Sequence, residues 1–191
     1  FFGYAVALSA DGSTAVLGAL GDDDLGADAG ATYVFVRNTG VMPEFAPEQI
    51  AASTLTIDGF VRTARAWTVA ELEEQFAPVT RIAVLECAGN GRAFFPQPTA
   101  NVQWRHGAVG CVAWTGVRLA DLLARCTLTP EAVYTAHFSP DLALDGNGPA
   151  LSRGLPIAKA LAPGTVVAYA LNGEPIPLLH GGPLRIVAPG Y

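Results

Sequence analysis

The feature that most constrains this chain is an apolar stretch that runs directly into a glycine-rich turn containing a cysteine. Residues 81–86 are typical of a buried strand, and the chain continues as Cys87-Ala88-Gly89-Asn90-Gly91-Arg92. Glycines let a backbone approach a bulky ligand closely, a thiolate is a soft metal ligand, and a guanidinium can hold an anion through its forked donors. Two interpretations are open: Cys87 is a buried structural thiol before a turn, or it is a metal ligand with Arg92 beside it.

Length and composition point to a globular chain with one sizeable core. The chain has 191 residues, of which 51% are hydrophobic and 15% are charged, and its net charge is −6. That length suits one domain of about 150 residues with an additional segment. The lack of a basic block disfavours nucleic acid as a partner, and no apolar run reaches the roughly 18 residues of a membrane span. The chain begins at Phe1 without a signal segment, so we expect either a removed leader or a fragment.

Residues 1–37 differ in character from the rest of the chain. Two short strand-like runs are joined by Asp11-Gly12, and an acidic glycine loop at 21–28 leads to a third strand at 31–36. This arrangement resembles an FG-GAP repeat, a unit of β-propellers, in Phe2-Gly3, in Gly18-Ala19-Leu20 and in the run 31–35. Closely spaced carboxylates suit a hard cation such as calcium, with a solvated turn as the open alternative. The candidate calcium ligands are Asp22, Asp24 and Asp28.

Residues 38–191 mix strands with short helices. Thr68 as N-cap and Glu71 three residues later form a capping box for a helix over 68–76, and apolar residues at helical spacing predict an amphipathic helix over 116–126. Because there is no regular βαβ rhythm, the predicted class is α+β. The remaining predictions are a connecting stretch at 38–54, strands at 55–59, 81–86, 132–138, 165–171 and 184–188, a polar loop at 140–153, a helical turn at 157–161 and a hairpin turn at Asn172-Gly173.

The three cysteines are Cys87, Cys111 and Cys126, and they contain no CxxC pair. This spacing disfavours zinc-ribbon and thioredoxin-like sites. Cys111 and Cys126 could pair, but the favoured interpretation is two small buried thiols. An odd number of cysteines leaves at least one thiol outside any intramolecular disulfide.

Two further runs are candidate anion sites. In His180-Gly181-Gly182-Pro183-Leu184-Arg185, an imidazole and a guanidinium share a loop rich in glycine and proline and could clamp an anion. A histidine that is simply packed is the open alternative. In the second run, Arg37-Asn38, an arginine leaves a predicted strand, and taken alone it is typical of a solvated strand end.

Taken in order, these motifs resemble the molybdopterin-binding domain of the sulfite oxidase family over about residues 35–191. The resemblance implies a fold of mixed β-sheets with short helices. We therefore expect an FG-GAP-like β repeat at 1–37 and a molybdopterin-binding oxidoreductase domain at 38–191, shortened at its C-terminus. The segments that carry the resemblance are 35–43, 55–59, 86–92, 104–110, 114–119, 153–160, 168–175 and 180–185, followed by Pro189-Gly190.

The resemblance implies a catalytic role for three residues. Cys87 would bind molybdenum through its thiolate, Arg92 would help to hold an oxyanion near the metal, and Arg37 would face the substrate. Trp104 would shape the pocket. The implied reaction is oxygen-atom transfer on a small oxyanion such as sulfite, with electrons passed to an acceptor such as a c-type cytochrome.

The resemblance also implies a set of residues that bind the pterin. His180 and Arg185 would hold the pterin and its phosphate, and Asp141 would hydrogen-bond the pterin. Arg37 and Asn38 would line the cofactor cleft. Together with Cys87, these residues form the expected binding site for the molybdenum cofactor.

The sequence departs from the family pattern in ways that keep a second function open. Thr39 stands where the family has a histidine, and the family's further pterin-site residues do not follow Tyr191. The alternative function is therefore a non-catalytic remnant, or an extracytoplasmic interaction module with a calcium-binding acidic loop. The family pattern further suggests a homodimer and a periplasmic or extracellular location.

Overall fold

The fold is known from a computed structural model of the chain. The structure describes residues 4–8, 15–19, 46–97, 103–139 and 152–191. The chain divides into two compact units, the first formed by Phe1–Val36 and Ile82–Val112 and the second by Arg37–Arg81 and Ala113–Tyr191.

The described residues form strands and short helices in mixed order, which is the predicted α+β class. Short 3₁₀ turns at Arg92–Phe94 and Leu178–His180 add to these elements. The helices are Pro47–Ala51 (α1), Val69–Gln75 (α2), Leu119–Cys126 (α3) and Ile157–Ala160 (α4). The strands are Tyr4–Leu8 (β1), Ala15–Ala19 (β2), Thr54–Ile57 (β3), Arg65–Thr68 (β4), Val79–Glu86 (β5), Val109–Arg118 (β6), Tyr134–Phe138 (β7), Ser152–Pro156 (β8), Val166–Leu171 (β9), Glu174–Pro175 (β10) and Arg185–Val187 (β11).

The largest sheet has the strand order β10-β9-β6-β5, and β11 also pairs with β9. β9 is antiparallel to both β6 and β11, so Val167 lies opposite Val117 on one side and Ile186 on the other. The register of β6 against β9 shifts next to Gly116. A Cβ atom on Gly116 would lie 2.0 Å from the Val167 carbonyl oxygen, so the close approach of these two strands requires glycine at this position.

The other strands pair as antiparallel two-stranded sheets. β1 pairs with β2, β3 with β4, and β7 with β8. In β7, alternate side chains are exposed and half-buried, as expected for a sheet with one covered face.

The hydrophobic core of the second unit is one cluster that draws on both helices and strands. α3 contributes four fully or almost fully buried residues at helical spacing, as an amphipathic helix requires. Trp67 and Phe76 meet edge to face with ring centroids 5.7 Å apart. The cluster comprises Trp67, Leu72, Phe76, Val117, Leu119, Leu122, Leu123, Cys126, Leu155, Ala160 and Val167.

The predicted capping box of α2 is confirmed. The Thr68 hydroxyl accepts from the Glu71 N–H at 3.2 Å, and the Glu71 carboxylate accepts from the Thr68 N–H at 2.7 Å. These hydrogen bonds lower the pKa of Glu71, the backbone bond to Thr68 being the largest cause. Two N–H groups that a helix start leaves without partners are thereby satisfied.

The other local predictions are confirmed within a few residues. The predicted strands correspond to β3, β5, β7, β9 and β11, the predicted helical turn to α4, and the two strand-like runs near the N-terminus to β1 and β2. The prediction that the strand before Cys87 is buried is wrong: Ile82 and Val84 are 79% and 63% exposed, and of β5 only Ala83 is buried. The hairpin at Asn172-Gly173 joins β9 to β10, and Asn172 adopts a φ of +52° as such a turn demands.

The prediction of a helix over 116–126 is wrong at its start. α3 begins at Leu119, and the preceding three residues end β6. Apolar residues at 117 and 119 fit a helix and a strand equally well. The pairing of Gly116 and Val117 with β9 decides between the two.

Three smaller predictions are also wrong. Residues 38–54 contain the helix α1, which begins with a proline at its first position, and the polar loop predicted to reach 153 has given way to β8 by Ser152. Cys126 is buried as expected, but Cys111 is exposed, because β6 directs alternate side chains to opposite faces and Gly110 takes the buried one. Both thiols are free, so the disulfide option is excluded.

We predict that Thr68→Ala lowers the free energy of unfolding by about 1 kcal/mol, the usual cost of losing an N-cap side chain. Urea unfolding followed by circular dichroism would measure this change. Thr63→Ala, at an exposed position outside the helices and strands, is the matched control and should stay within about 0.5 kcal/mol of the unsubstituted chain. Equal effects of the two substitutions would contradict the capping role.

Candidate functional site

Cys87 follows β5 directly and opens a turn that a neighbouring segment, residues 104–108, holds in place. Within the turn, the Asn90 N–H donates to the Cys87 carbonyl at 2.9 Å. Three further N–H groups of residues 87–93 donate to carbonyls of the segment: Cys87 to Ala108 at 2.8 Å, Gly91 to Arg105 at 2.6 Å and Ala93 to Trp104 at 2.9 Å.

The Cys87 thiol is free and half-buried. The Gly89 N–H donates to its sulfur at 3.4 Å. This hydrogen bond fixes the orientation of the sulfur, and the partial exposure of Cys87 leaves the sulfur accessible to a metal. The thiol therefore has the properties of a preformed soft metal ligand.

Arg92 lies in the same turn and packs against Gly89. A Cβ atom on Gly89 would lie 2.5 Å from Nη2 of Arg92, so glycine at this position lets the guanidinium lie against the backbone. Arg92 also lines a shallow depression with Phe95, Pro96 and Gln97. Trp104 is half-buried, and its carbonyl takes part in holding the turn. The first unit thus brings a thiol and a guanidinium together on one loop.

The second unit brings His180 and Arg185 together. The Arg185 Nη1 donates to the His180 carbonyl at 2.8 Å. The Arg185 guanidinium carbon also lies 5.4 Å from the ring centroid of Trp114, whose side chain is fully buried. A cation over an indole ring at this distance is attracted by about 1 kcal/mol. These two contacts fix the guanidinium next to the 3₁₀ turn that carries the histidine.

His180 itself is half-buried and neutral near pH 7. Burial, and to a lesser extent the charge of Arg185, lower its pKa from 6.5 to about 4. Its Nδ1 is buried, and no partner for it is found among the described residues. The positive charge of the predicted anion clamp therefore comes from Arg185, and His180 offers an unsatisfied hydrogen-bonding atom.

The other predicted site residues lie outside the described residues. They are Arg37, Asn38 and Asp141 for the cofactor and substrate, Thr39 as the departure from the family pattern, the candidate calcium ligands Asp22, Asp24 and Asp28, and the strand predicted at 31–36. Their roles stay predictions. Of the residues that the structure describes, Cys87 lies beside Arg92 in the first unit and His180 beside Arg185 in the second.

Sequence reasoning missed three side chains that the structure draws attention to. Asn90 hydrogen-bonds on both sides of the cysteine turn, and Trp114 underlies Arg185. Both lie in segments that carried the family resemblance, but neither had a role. His137 on β7 has a buried Nε2 without a partner among the described residues, and burial lowers its pKa. A single histidine in a strand gave no signal in the sequence.

Comparison with known protein families assigns the chain. The model for the oxidoreductase molybdopterin binding domain matches residues 40–191, and the FG-GAP repeat model matches residues 1–35. The chain belongs to the oxidoreductase molybdopterin-binding domain family. The resemblance to the sulfite oxidase type of domain and to an FG-GAP repeat is thereby confirmed.

Individual relatives agree with this assignment. The chain is 37% identical to the mitochondrial sulfite oxidase of Macaca fascicularis over 112 residues, which cover 56% of this chain and 20% of that protein. It is 32% identical to the nitrate reductase [NAD(P)H] of Hordeum vulgare over 165 residues, 82% of this chain and 18% of that protein. The chain therefore spans about a fifth of the length of these two relatives.

A solved structure supports the fold. The crystal structure of the sulfane dehydrogenase SoxCD from Paracoccus pantotrophus matches with a TM-score of 0.64 and 27% identity, covering 78% of this chain and 36% of that one. The predicted molybdopterin-binding fold is confirmed by this similarity. In the described part of the molybdopterin-binding chain, no helix has the length and apolar character needed to cross a membrane.

We predict that His180 makes the fold less stable in acid. Because its pKa is about 4 in the folded chain and 6.5 is its ordinary value, the unfolded chain binds a proton first as the pH falls through this window. Stability is thus present above about pH 6.5 and is lost progressively towards pH 4. Thermal unfolding at pH 7.5 and pH 5 should show a smaller loss for His180→Asn than for the unsubstituted chain.

The burial of His137 adds to the same trend. His137→Asn is therefore the matched comparison, and a variant with both substitutions should show the smallest pH dependence. If His180→Asn lost as much stability on acidification as the unsubstituted chain, the buried neutral state of His180 would be refuted.

Proposed function

We propose that this chain binds a molybdenum cofactor and takes part in oxygen-atom transfer on a small oxyanion such as sulfite. The observation that carries the proposal is the half-buried Cys87 sulfur, oriented by the Gly89 N–H at 3.4 Å in a turn shared with Arg92. A molybdopterin, when bound, supplies the oxygen-transfer and redox chemistry. The chain's own residues would hold it and attract the substrate.

The described residues fit such a cofactor in three respects. A thiolate is a ligand type that suits a soft metal centre, and Cys87 is free to act as one. A buried Nδ1 without a partner costs about 1–3 kcal/mol, and a hydrogen-bonding group of the pterin would satisfy that atom in His180. Arg185, held over Trp114, would pair with the phosphate as a charged donor.

Arg92 would contribute substrate attraction. Its guanidinium lies in the same turn as Cys87 and can form paired hydrogen bonds to an oxyanion. Similarity to both a sulfite oxidase and a nitrate reductase makes sulfite and nitrate the two oxyanions to test. Arg37, Asn38 and Asp141 would complete the cofactor and substrate site, and a c-type cytochrome acceptor, a homodimer and an extracytoplasmic location belong to the same proposal.

The decisive test is metal analysis of the full chain, purified after expression under cofactor-replete conditions. We expect stoichiometric molybdenum that is lost in Cys87→Ser, because a hydroxyl is a poor replacement for a soft thiolate ligand. Cys111→Ser, at an exposed thiol on β6, is the matched control and should retain the metal.

The same measurement separates the proposal from its alternative. Absence of molybdenum from the unsubstituted chain would contradict the cofactor proposal and favour a non-catalytic interaction module. Calcium-dependent stabilisation that is lost in a variant combining Asp22→Ala with Asp24→Ala would assign the acidic loop a calcium-binding role.

A second substitution separates substrate attraction from cofactor binding. Arg92→Gln would remove the guanidinium charge and leave the backbone hydrogen bonds of the Cys87 turn in place. We expect unchanged molybdenum content and a KM for the oxyanion that rises about tenfold or more, the consequence of losing a hydrogen bond to a charged group. Steady-state kinetics would measure the change. An unchanged KM would exclude Arg92 from substrate binding.

A further inference from the structure

Asn90 uses both atoms of its side-chain amide to connect the two flanks of Cys87. Its Nδ2 donates to the Glu86 carboxylate at 2.8 Å, and its Oδ1 accepts from the Ala108 N–H at 3.1 Å. Glu86 precedes the cysteine, and the Ala108 carbonyl accepts the N–H of Cys87 itself at 2.8 Å. The Asn90 amide therefore connects Glu86, which precedes Cys87, with Ala108, whose carbonyl accepts the Cys87 N–H.

These contacts fix the direction of the sulfur through the turn. The Asn90 N–H closes the turn on the Cys87 carbonyl at 2.9 Å, and the Gly89 N–H within that turn donates to the sulfur. Backbone hydrogen bonds to residues 104–108 already hold the turn on one side. The Asn90 side chain adds a second bond to Ala108 and is the group that connects the turn to the Glu86 carboxylate.

An amide suits this position better than any other side chain of its size. It must donate towards a carboxylate and accept from a backbone N–H at the same time. Ala108 is completely buried, so loss of the acceptor would leave a buried N–H without a partner. A carboxylate at position 90 would keep that acceptor but would face the Glu86 carboxylate with a like charge.

The geometry points to Asn90 as a positioning residue for the Cys87 thiol. Its amide holds the sulfur in place before any metal arrives, so that the ligand is preorganised. The purpose of this positioning rests on the proposed role of Cys87 as the molybdenum ligand. The hydrogen bonds themselves are a property of the metal-free chain and can be tested there.

The test is a hydrogen-bond swap, read out as the rate at which iodoacetamide alkylates Cys87 in the metal-free full chain. Mass spectrometry of the Cys87 peptide gives the rate, and the exposed Cys111 is the internal reference. Asn90→Asp removes the donor to Glu86 and should speed alkylation of Cys87 about three- to fivefold, because this hydrogen bond is solvent-exposed and exposed charged pairs contribute about 1 kcal/mol or less. Glu86→Gln alone keeps an acceptor for Asn90 and should react as the unsubstituted chain does.

The double variant decides the matter. With Asn90→Asp and Glu86→Gln together, the new amide at 86 donates to the new carboxylate at 90, and the slow alkylation rate should return. Such a rescue is not expected if Asn90 merely fills space. Alkylation of Asn90→Asp at the unsubstituted rate, or a double variant that reacts as fast as Asn90→Asp, would overturn the inference.

Two further outcomes are separated by the same variants. If Asn90→Asp does not fold, a folded double variant with slow alkylation still supports the pairing, and an unfolded or fast-reacting one overturns it. Molybdenum content distinguishes the inference from the proposed function. A chain without molybdenum that shows the rescue retains the positioning role and loses the cofactor, whereas a chain with molybdenum and no rescue loses only the positioning role.

Discussion

The close contact of β6 with β9 determines the architecture of the second unit. A glycine at 116 lets the backbone of β6 approach the Val167 carbonyl, to within a distance at which any Cβ would collide. That approach places Trp114 opposite Leu171 near the end of β9. β11 pairs with the same strand, with Arg185 opposite Ala168, and its guanidinium reaches the Trp114 ring. The position of Arg185 in the predicted anion clamp therefore depends on the pairing of β6 and β11 with β9.

Features that depend on a few neighbouring residues could be predicted from the sequence. The capping box at Thr68 and the turn at Asn172-Gly173 each depend on residues that are at most three positions apart. Both are as predicted. The start of α3 could not be predicted in this way, because the apolar spacing at 116–119 is compatible with either structure. The pairing with β9, which lies far along the chain, decides it. The exposure of Cys111 could not be predicted either, because Cys111 lies on β6, a strand that the sequence analysis did not predict.

The same distinction between local patterns and distant contacts applies to the candidate site residues. That Cys87 and Arg92 lie close together could be predicted, because a cysteine and an arginine in one glycine-rich turn are a local pattern. The role of Asn90 could not be predicted, since one of its partners, Ala108, is 18 residues away. Nor could the support that Trp114 gives to Arg185, which arises only when β6 and β11 flank β9. Local patterns therefore indicate which atoms could react, and distant contacts determine how those atoms are held.

The cysteine turn of the first unit and the His180 turn of the second unit differ in how well their polar groups are satisfied. In the cysteine turn, the backbone N–H groups of Cys87, Asn90 and Arg92 all have partners within the first unit. In the second unit, the buried Nδ1 of His180 has none among the described residues, and its low pKa keeps the imidazole neutral near pH 7. A ligand that hydrogen-bonds to Nδ1 would remove a cost of about 1–3 kcal/mol. The proposed metal ligand Cys87 is therefore already held in place, and a ligand group that hydrogen-bonds to His180 would stabilise the second unit.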